Sequence, residues 1–213
     1  MKRAVVLTIV LLSAAFCFAG GKRSSIEAGV GFHRITETTQ VSGIEIKTTV
    51  PSLAVNVAGI HYFSDRAGIG VYGNVLFPRK FKVTAQGQTA IVDKSAYDML
   101  MAADALLGPV FMLYRGESFC LPMSFGFHWY SLWTEAGSAS TNLNQIGMGA
   151  NIAGEYHFGP KVYAFARFQL SCDFYGWGKA ESVNQYGNYI TESESGKINI
   201  WSIAPSLGIA FKW

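Results

Sequence analysis

The sequence predicts an all-β fold: an eight-stranded antiparallel up-and-down transmembrane β-barrel with short turns at one end and longer loops at the other. Three observations predict it. Segments of about ten residues alternate between apolar and polar side chains, as tilted membrane strands do. Short and long connections alternate between these segments. Beyond the N-terminal segment, the longest apolar run is 99–113, and its Asp104 and Gly108-Pro109 make it a poor membrane helix.

The N-terminal segment has the three parts of a secretory signal peptide. Met1-Lys2-Arg3 is a basic start, 4–16 is apolar, and small residues follow at Ala19 and Gly20. An uncleaved membrane helix is the alternative, but the apolar run is shorter than the roughly 20 residues that a span needs. We therefore expect residues 1–19 to be a cleaved signal peptide and 20–213 to be the barrel domain.

Composition narrows the function classes. The chain is 50% hydrophobic, and removing Lys2 and Arg3 from its 17 basic residues leaves 15 against 14 acidic ones. A net charge of +1 gives no basic patch, so nucleic acid is not an expected partner. Cys120 and Cys172 fall on opposite faces of the predicted sheet, which predicts two free thiols.

Six of the eight predicted strands alternate strictly, so each has one apolar face. That face carries Ile26, Val30 and Phe32 in 25–33; Ile69, Val71 and Val75 in 67–77; Phe125, Phe127 and Trp129 in 119–130; Ile146, Met148 and Ile152 in 145–158; Ala166, Phe168 and Leu170 in 162–174; and Leu207, Ile209 and Phe211 in 201–213.

The other two strands are less regular. In 51–63, Ile60 and Tyr62 switch parity relative to the preceding residues, which predicts a bulge. The strand 104–115 is apolar on both faces. Pro109 there and Pro205 in the last strand each predict a bulge or a strand boundary, because a closed barrel has no edge where a missing N–H is harmless.

The connections fix the topology. Tight turns at 64–68, 115–118 and 159–161 alternate with polar stretches at 35–50, 78–102, 134–144 and 176–197. A barrel with short periplasmic turns and long outer loops requires this alternation. Within the long stretches, 83–105 predicts either an extension of the sheet or a short helix, and 178–197 predicts a mobile polar loop.

Aromatic residues then fall in two rows, as expected of belts at the two membrane interfaces. The alternative is that aromatic residues are merely frequent. The predicted outer row is Phe32, Phe77, Trp129, Trp133, Trp177 and Trp201, and the inner row includes Phe63, Phe119, Phe158 and Trp213.

Eight strands leave a lumen just wide enough for side chains. Glu27, Asp104, Glu155, Arg167 and Asp173 fall on the inward parity, with Arg167 and Glu155 nearly opposite on adjacent strands and Glu27 at a similar depth. We expect this lumen polar network to plug the barrel, with Arg167 ion-paired. A gated ionic pathway is the alternative interpretation.

The sequence predicts no catalytic, cofactor-binding or metal-binding residues. Ser124 and His128 share a face but are about 13 Å apart along one strand, so they do not form a nucleophile–base pair with each other. The four histidines lack any close metal-ligand spacing.

On these residues the chain resembles the small eight-stranded outer-membrane barrels, the class of the OmpA membrane domain, OmpX and OmpW. The resemblance includes a C-terminal strand with apolar residues at every second position and a final aromatic. In this chain the matching assembly signal is Pro205, Leu207, Ile209, Phe211 and Trp213, with tryptophan where the family usually has phenylalanine.

The resemblance implies localisation in the outer membrane of a diderm bacterium, with outer-membrane lipid as solvent. It also implies passage to the barrel-assembly machinery, with the help of periplasmic chaperones. The expected role is non-catalytic, either structural or adhesin-like, through loops that contact host or surface ligands. The alternative is an OmpW-like narrow channel for small hydrophobic molecules, with Leu106, Val110 and Met112 as lining.

Overall fold

A computed structural model describes residues 23–41, 44–183 and 189–213. The expected signal peptide, residues 1–19, lies outside the described residues. No helix in the described part of the chain is long and apolar enough to span a bilayer.

The described residues form ten strands and one short 3₁₀ helix. The strands are β1 (Ser24–Val41), β2 (Ile44–Tyr62), β3 (Ala67–Pro78), β4 (Lys80–Ala85), β5 (Gln88–Asp93), β6 (Met99–Arg115), β7 (Phe119–Ala136), β8 (Ala139–His157), β9 (Val162–Val183) and β10 (Tyr189–Lys212), and the helix is Lys94–Ala96.

Eight of these strands close into a ring within the described residues. All pairings are antiparallel, in the order β1-β10-β9-β8-β7-β6-β3-β2, and β2 pairs with β1 again to close the barrel. The expected eight-stranded up-and-down barrel is confirmed. The remaining two strands form a hairpin above β3: β4 pairs with β2 through Ile46–Thr49, and β5 pairs with β4.

The two ends of the barrel differ. We call the end that carries the turns 63–66, 116–118 and 158–161 the short-turn end, and there the backbone of Trp213 hydrogen-bonds that of Ser24. We call the other end the hairpin end. Its turns include Gln86-Gly87, where both residues have positive φ, and Gly137, with a φ of 56°.

Strict alternation produces this barrel because successive side chains of a strand point to opposite faces. Large apolar side chains along the ring strands are exposed on the outside, among them Val30, Leu53, Phe127, Leu170 and Leu207. Side chains of the opposite parity are buried inside, and they include the buried charged groups of the described residues as well as apolar clusters. An apolar exterior around a filled interior is the inverse of a soluble domain, and acyl chains are the solvent that suits it.

The strands are longer than the sequence predicts. Most of the stretches expected as loops at 35–50, 134–144 and 176–197 continue the ladder as extensions of β1, β2 and β7 to β10. Residues 178–183 and 189–197, expected as a mobile loop, are paired strands, and 184–188 lie outside the described residues. In 83–105, both a sheet extension and a short helix are present. Alternation in polar residues carries no hydrophobic signal, which is why the sequence missed these extensions.

The expected bulge at Ile60 and Tyr62 is wrong. The register of β2 with β1 and β3 is continuous through both residues, and both side chains are buried in the lumen on the parity of Asn56. Ile60 and Tyr62 are apolar because they fill the lumen at this level, and the backbone of β2 stays regular there.

The two prolines mark neither a bulge nor a strand end. Pro109 pairs with Ile69 of β3, while its ladder to β7 is interrupted between Leu107 and Val110 with no change of register. Pro205 pairs with Phe168 of β9, and its ladder to β1 is interrupted in the same way. Each proline therefore loses pairing on only one side.

Candidate functional site

The lumen is the best candidate for a functional site because it concentrates the buried charges of the described residues. All five residues expected in a lumen polar network are buried: Glu27, Asp104, Glu155, Arg167 and Asp173. They do not form one network. Glu27 and Arg167 pair near the short-turn end, whereas Asp104 and Asp173 lie further up the strands with two histidines.

An arginine–glutamate pair holds the short-turn half of the lumen together. Arg167 of β9 forms a buried ion pair with Glu27 of β1. The Tyr163 hydroxyl lies 3.0 Å from Glu27 Oε1. The guanidinium carbon of Arg167 lies 4.6 Å from the ring centre of Tyr72 and 4.8 Å from that of Phe165. Two aromatic faces and one carboxylate thus replace the water that this cation loses on burial.

Register explains why the partner of Arg167 is Glu27 and not Glu155. Between β8 and β9, Arg167 pairs with Ala153 and Glu155 pairs with Phe165, so the two charges are one inward step apart. Glu155 instead contacts His157, whose Nε2 lies 3.3 Å from Glu155 Oε2.

A histidine–aspartate group occupies the next level of the lumen. Asp104 Oδ2 lies 2.8 Å from His33 Nε2 and 4.0 Å from His128 Nε2. His128 Nδ1 lies 2.8 Å from Asp173 Oδ1. All four side chains are buried, so the fold packs two carboxylates and two imidazoles together without bulk water.

Two neighbouring strands extend this group through amide side chains. Asn56, Asn74 and Asp104 are direct cross-strand partners on β2, β3 and β6. The Asn56 amide donates to Asn74 Oδ1, and the Asn74 amide donates to Asp104 Oδ1. The result is a polar row that runs perpendicular to the strands.

The sequence-based predictions do not include the contact that each of the two lumen histidines makes with an aspartate. One glycine, Gly147, is the sequence feature that could have indicated one of these contacts. Gly147 of β8 pairs with His128 of β7 on one side and with Asp173 of β9 on the other. A Cβ at Gly147 would overlap the Cys172 carbonyl oxygen and lie 2.6 Å from Asp173 Oδ1. Because Gly147 has no side chain, His128 reaches across β8 to Asp173.

Apolar clusters flank this polar group on both sides along the strands. Toward the short-turn end, Leu106 and Val110 are fully buried and pack with Met112 among other apolar side chains of β2, β3 and β6. Toward the hairpin end lies a larger cluster, the apolar cap: Ile35, Val50, Ala54, Leu76, Leu100, Ala102, Tyr130, Leu132 and Ile200.

Each end of the lumen opens into a cavity. At the hairpin end, a cavity of about 470 Å³ is lined by Glu37, Lys179, Glu192, Glu194 and Lys197 among others. Burial raises the pKa of the Glu37 carboxyl, and a hydrogen bond from Thr39 offsets only part of that rise. At the short-turn end, a cavity of about 640 Å³ is lined by residues that include Cys120 and His157.

The aromatic rows lie on the outside of the barrel, with one exception. Exposed members of the predicted outer row are Phe32, Phe77, Trp177 and Trp201, and those of the inner row are Phe63, Phe119, Phe158 and Trp213. Trp177 does not share the level of Trp201, because it pairs with Ser195, six positions further along β10 toward the hairpin tip. Trp129 is half-buried. Trp133 is only 4% exposed, so it does not belong to an exposed belt.

The C-terminal strand closes the ring. Pro205, Leu207, Ile209, Phe211 and Trp213 all face outward, while β10 pairs with β9 on one side and β1 on the other. Their role as an assembly signal stays a prediction. Cys120 faces the lumen, Cys172 faces outward, and both are free thiols.

No protein-family model matches the chain, and neither does any curated protein sequence. Solved structures do match. The outer membrane protein OprG from Pseudomonas aeruginosa is 11% identical with a TM-score of 0.58, over 91% of this chain and 98% of that one. Neisserial surface protein A (NspA) is 9% identical with a TM-score of 0.57, over 89% and 97%.

The outer membrane protease OmpT from Escherichia coli is also similar, at 6% identity and a TM-score of 0.51, over 90% of this chain and 97% of that one. At these identities the likeness shows the fold alone. The chain has the fold of the outer-membrane β-barrels, and at that level the resemblance inferred from its sequence is confirmed.

Proposed function

We propose that this chain is a sealed, non-catalytic β-barrel of a bacterial outer membrane whose function resides in its hairpin end. The observation that supports it is the filling of the lumen. Along β1, from the short-turn end to the hairpin end, Glu27 pairs with Arg167, His33 belongs to the histidine–aspartate group and Ile35 belongs to the apolar cap. Along β6 the order is similar, because Asp104 lies between the apolar cluster of Leu106 and the apolar cap.

This filling opposes ion conduction at two levels of the lumen. Ions would have to cross the apolar cap, whose apolar side chains do not replace the water that the ions lose. Toward the short-turn end, the ion pair of Arg167 and Glu27 is buried in the lumen with its charges already neutralised. An eight-stranded barrel has little room besides.

The histidine–aspartate group does not support catalysis in its present setting. None of its four residues lines the cavity at either end of the lumen. A general base must come within hydrogen-bond reach of its substrate, and the apolar cap separates this group from the hairpin end. Because the fold is shared with a protease, the fold itself does not decide the question.

We expect the refolded protein to show no discrete conductance steps in planar lipid bilayers. The matched variant replaces Leu132 of the apolar cap with serine and is expected to stay silent as well, because the ion pair beneath it remains. Reproducible single-channel steps from the unaltered protein would overturn the sealed barrel.

The second candidate function is a narrow channel for small hydrophobic molecules, and the apolar cap favours it. An apolar upper lumen would suit such molecules, and Leu106 and Val110 belong to a second apolar cluster on the other side of the histidine–aspartate group. In the described structure these two side chains pack against Ile60 and Tyr72, so they fill the wall and line no open path.

The hairpin end has the chemistry of a recognition surface. From Trp201 and its cross-strand partner Cys172, β10 and β9 extend about a dozen residues further as a largely exposed hairpin, which is polar over 178–183 and 191–197. The adjoining cavity brings Glu192 and Glu194 together with Lys179 and Lys197. Mixed charges on rigid strands suit selective contacts with polar surface ligands.

The proposal places the hairpin end outside the cell, which a pair of cysteine variants tests. Ser193→Cys lies on the exposed hairpin of β10, and Lys161→Cys lies in an exposed turn of the short-turn end. In a chain with Cys120 and Cys172 replaced by serine, we expect a membrane-impermeant maleimide to label intact cells only at position 193. Labelling of position 161 alone would reverse the orientation.

A further inference from the structure

Three different metal-ligand side chains meet at the short-turn end, apart from the Arg167–Glu27 ion pair and the histidine–aspartate group. They are Cys120 of β7 with Glu155 and His157 of β8. The strand register brings them together: Cys120 is the direct cross-strand partner of Glu155, and His157 follows on the same inward face. No short sequence motif signals this arrangement, because the residues are 35 or more positions apart in the chain, except for the pair on β8.

The donor atoms of the three side chains converge. One ligand atom from each, a thiol sulfur, a carboxylate oxygen and an imidazole nitrogen, lie within 4.8 Å of one another. In a tetrahedral site with the usual zinc–sulfur and zinc–nitrogen distances, donor atoms are roughly 3–4 Å apart. Small side-chain rotations therefore suffice to close the site on an ion.

The surroundings of Glu155 point to a missing partner. Its Oε2 contacts His157, but its Oε1 is buried and, among the described residues, has no hydrogen-bond partner. A buried carboxylate oxygen without a partner is costly, and a bound cation would remove that cost. The His157 ring is held in place by stacking on Tyr163, with ring centres 4.8 Å apart.

We propose that Cys120, Glu155 and His157 bind a divalent zinc-like cation at the mouth of the lumen. A thiolate, an imidazole and a carboxylate are the donor set that Zn²⁺ accepts. Cys120 and His157 both line the cavity at this end, so the fourth coordination position faces space that admits water. Thiolate and carboxylate neutralise the dication in a lumen that would otherwise disfavour it.

Three cationic side chains near this site, Arg23, Arg115 and Lys212, are compatible with binding. Arg115 pairs with Cys120 in the ladder, and Lys212 lines the same cavity. Arg115 is engaged by Asp65, with Nη1 3.1 Å from Oδ1, and Asp65 also contacts Arg23 at 3.3 Å. Part of the positive charge at the mouth is therefore offset before the metal ion arrives.

The test uses Co²⁺ as a spectroscopic probe and Zn²⁺ as its competitor, on the refolded chain in detergent with a thiol-free reductant. We expect one Co²⁺ per chain with an intense thiolate-to-cobalt charge-transfer band, displaced by Zn²⁺. Cys120→Ser should abolish the band and weaken Zn²⁺ binding by at least about tenfold. The matched control is Cys172→Ser, which removes the outward thiol and should leave the band unchanged.

A second readout guards against a variant that fails to fold. In the Cys172→Ser chain, Zn²⁺ should slow alkylation of Cys120, and Glu155→Gln should reduce that protection. Co²⁺ binding without a charge-transfer band, or a band that Cys172→Ser removes, would overturn the site. So would alkylation of Cys120 at the same rate with and without Zn²⁺.

Discussion

Replacing Arg167 with alanine is expected to lower the free energy of unfolding by about 3–5 kcal/mol, the cost of leaving a buried charge without its partner. Glu27 is 1% exposed and Arg167 is 6% exposed, so water does not replace the lost contact. The measurement is urea unfolding of the protein refolded in detergent micelles.

The matched control is an ion pair that water reaches. Lys179 and Glu181 lie 2.6 Å apart on the exposed part of β9. Lys179→Ala is expected to cost no more than about 1 kcal/mol, as exposed pairs do. If the two alanine variants lose the same stability, the Arg167 pair does not hold the lumen together.

A double variant separates the pair from the packing of the side chains. Glu27→Gln with Arg167→Met removes both charges and keeps most of the volume. It should lose less stability than Arg167→Ala alone, because no uncompensated charge remains in the lumen. A double variant as unstable as the sum of the single variants would show that the two residues act independently.

Replacing Leu207 with arginine is expected to lower the free energy of unfolding by about 2–4 kcal/mol in lipid vesicles, the cost of a cation near the bilayer midplane. Leu207 is 64% exposed, and on β10 it lies midway between Trp201 and Trp213 of the two aromatic rows. If the barrel lies in a membrane, the side chain at position 207 faces acyl chains, so an arginine there loses its hydration.

A similarly exposed apolar residue outside the aromatic rows provides the control. Ile91 is 59% exposed on β5, in the hairpin that extends beyond β3. Ile91→Arg should change stability by no more than about 0.5 kcal/mol, as surface substitutions in water do. Equal effects at the two positions would place the barrel exterior in water and remove the membrane interpretation.

The local alternation of side chains determined the barrel and its orientation of faces. Val30, Phe127 and Leu207 point outward and Glu27, Arg167 and Asp173 inward, as their parity predicts. A strand alternates with a period of two wherever it lies, so the sequence carries this information without any knowledge of neighbours. Where residues are polar on both faces, as in 178–183 and 189–197, this signal is absent, and the sequence predicts a loop in place of the paired strands.

Only the tertiary structure decided which inward residues meet. Arg167 pairs with Glu27 and not Glu155, His128 reaches Asp173 across Gly147, and Cys120 faces Glu155. These contacts depend on the register of each strand pair and on the closure of β1 against β10. Parity assigns a side chain to the inside, but its height and its neighbours follow from the stagger of the whole ring, which no single segment encodes.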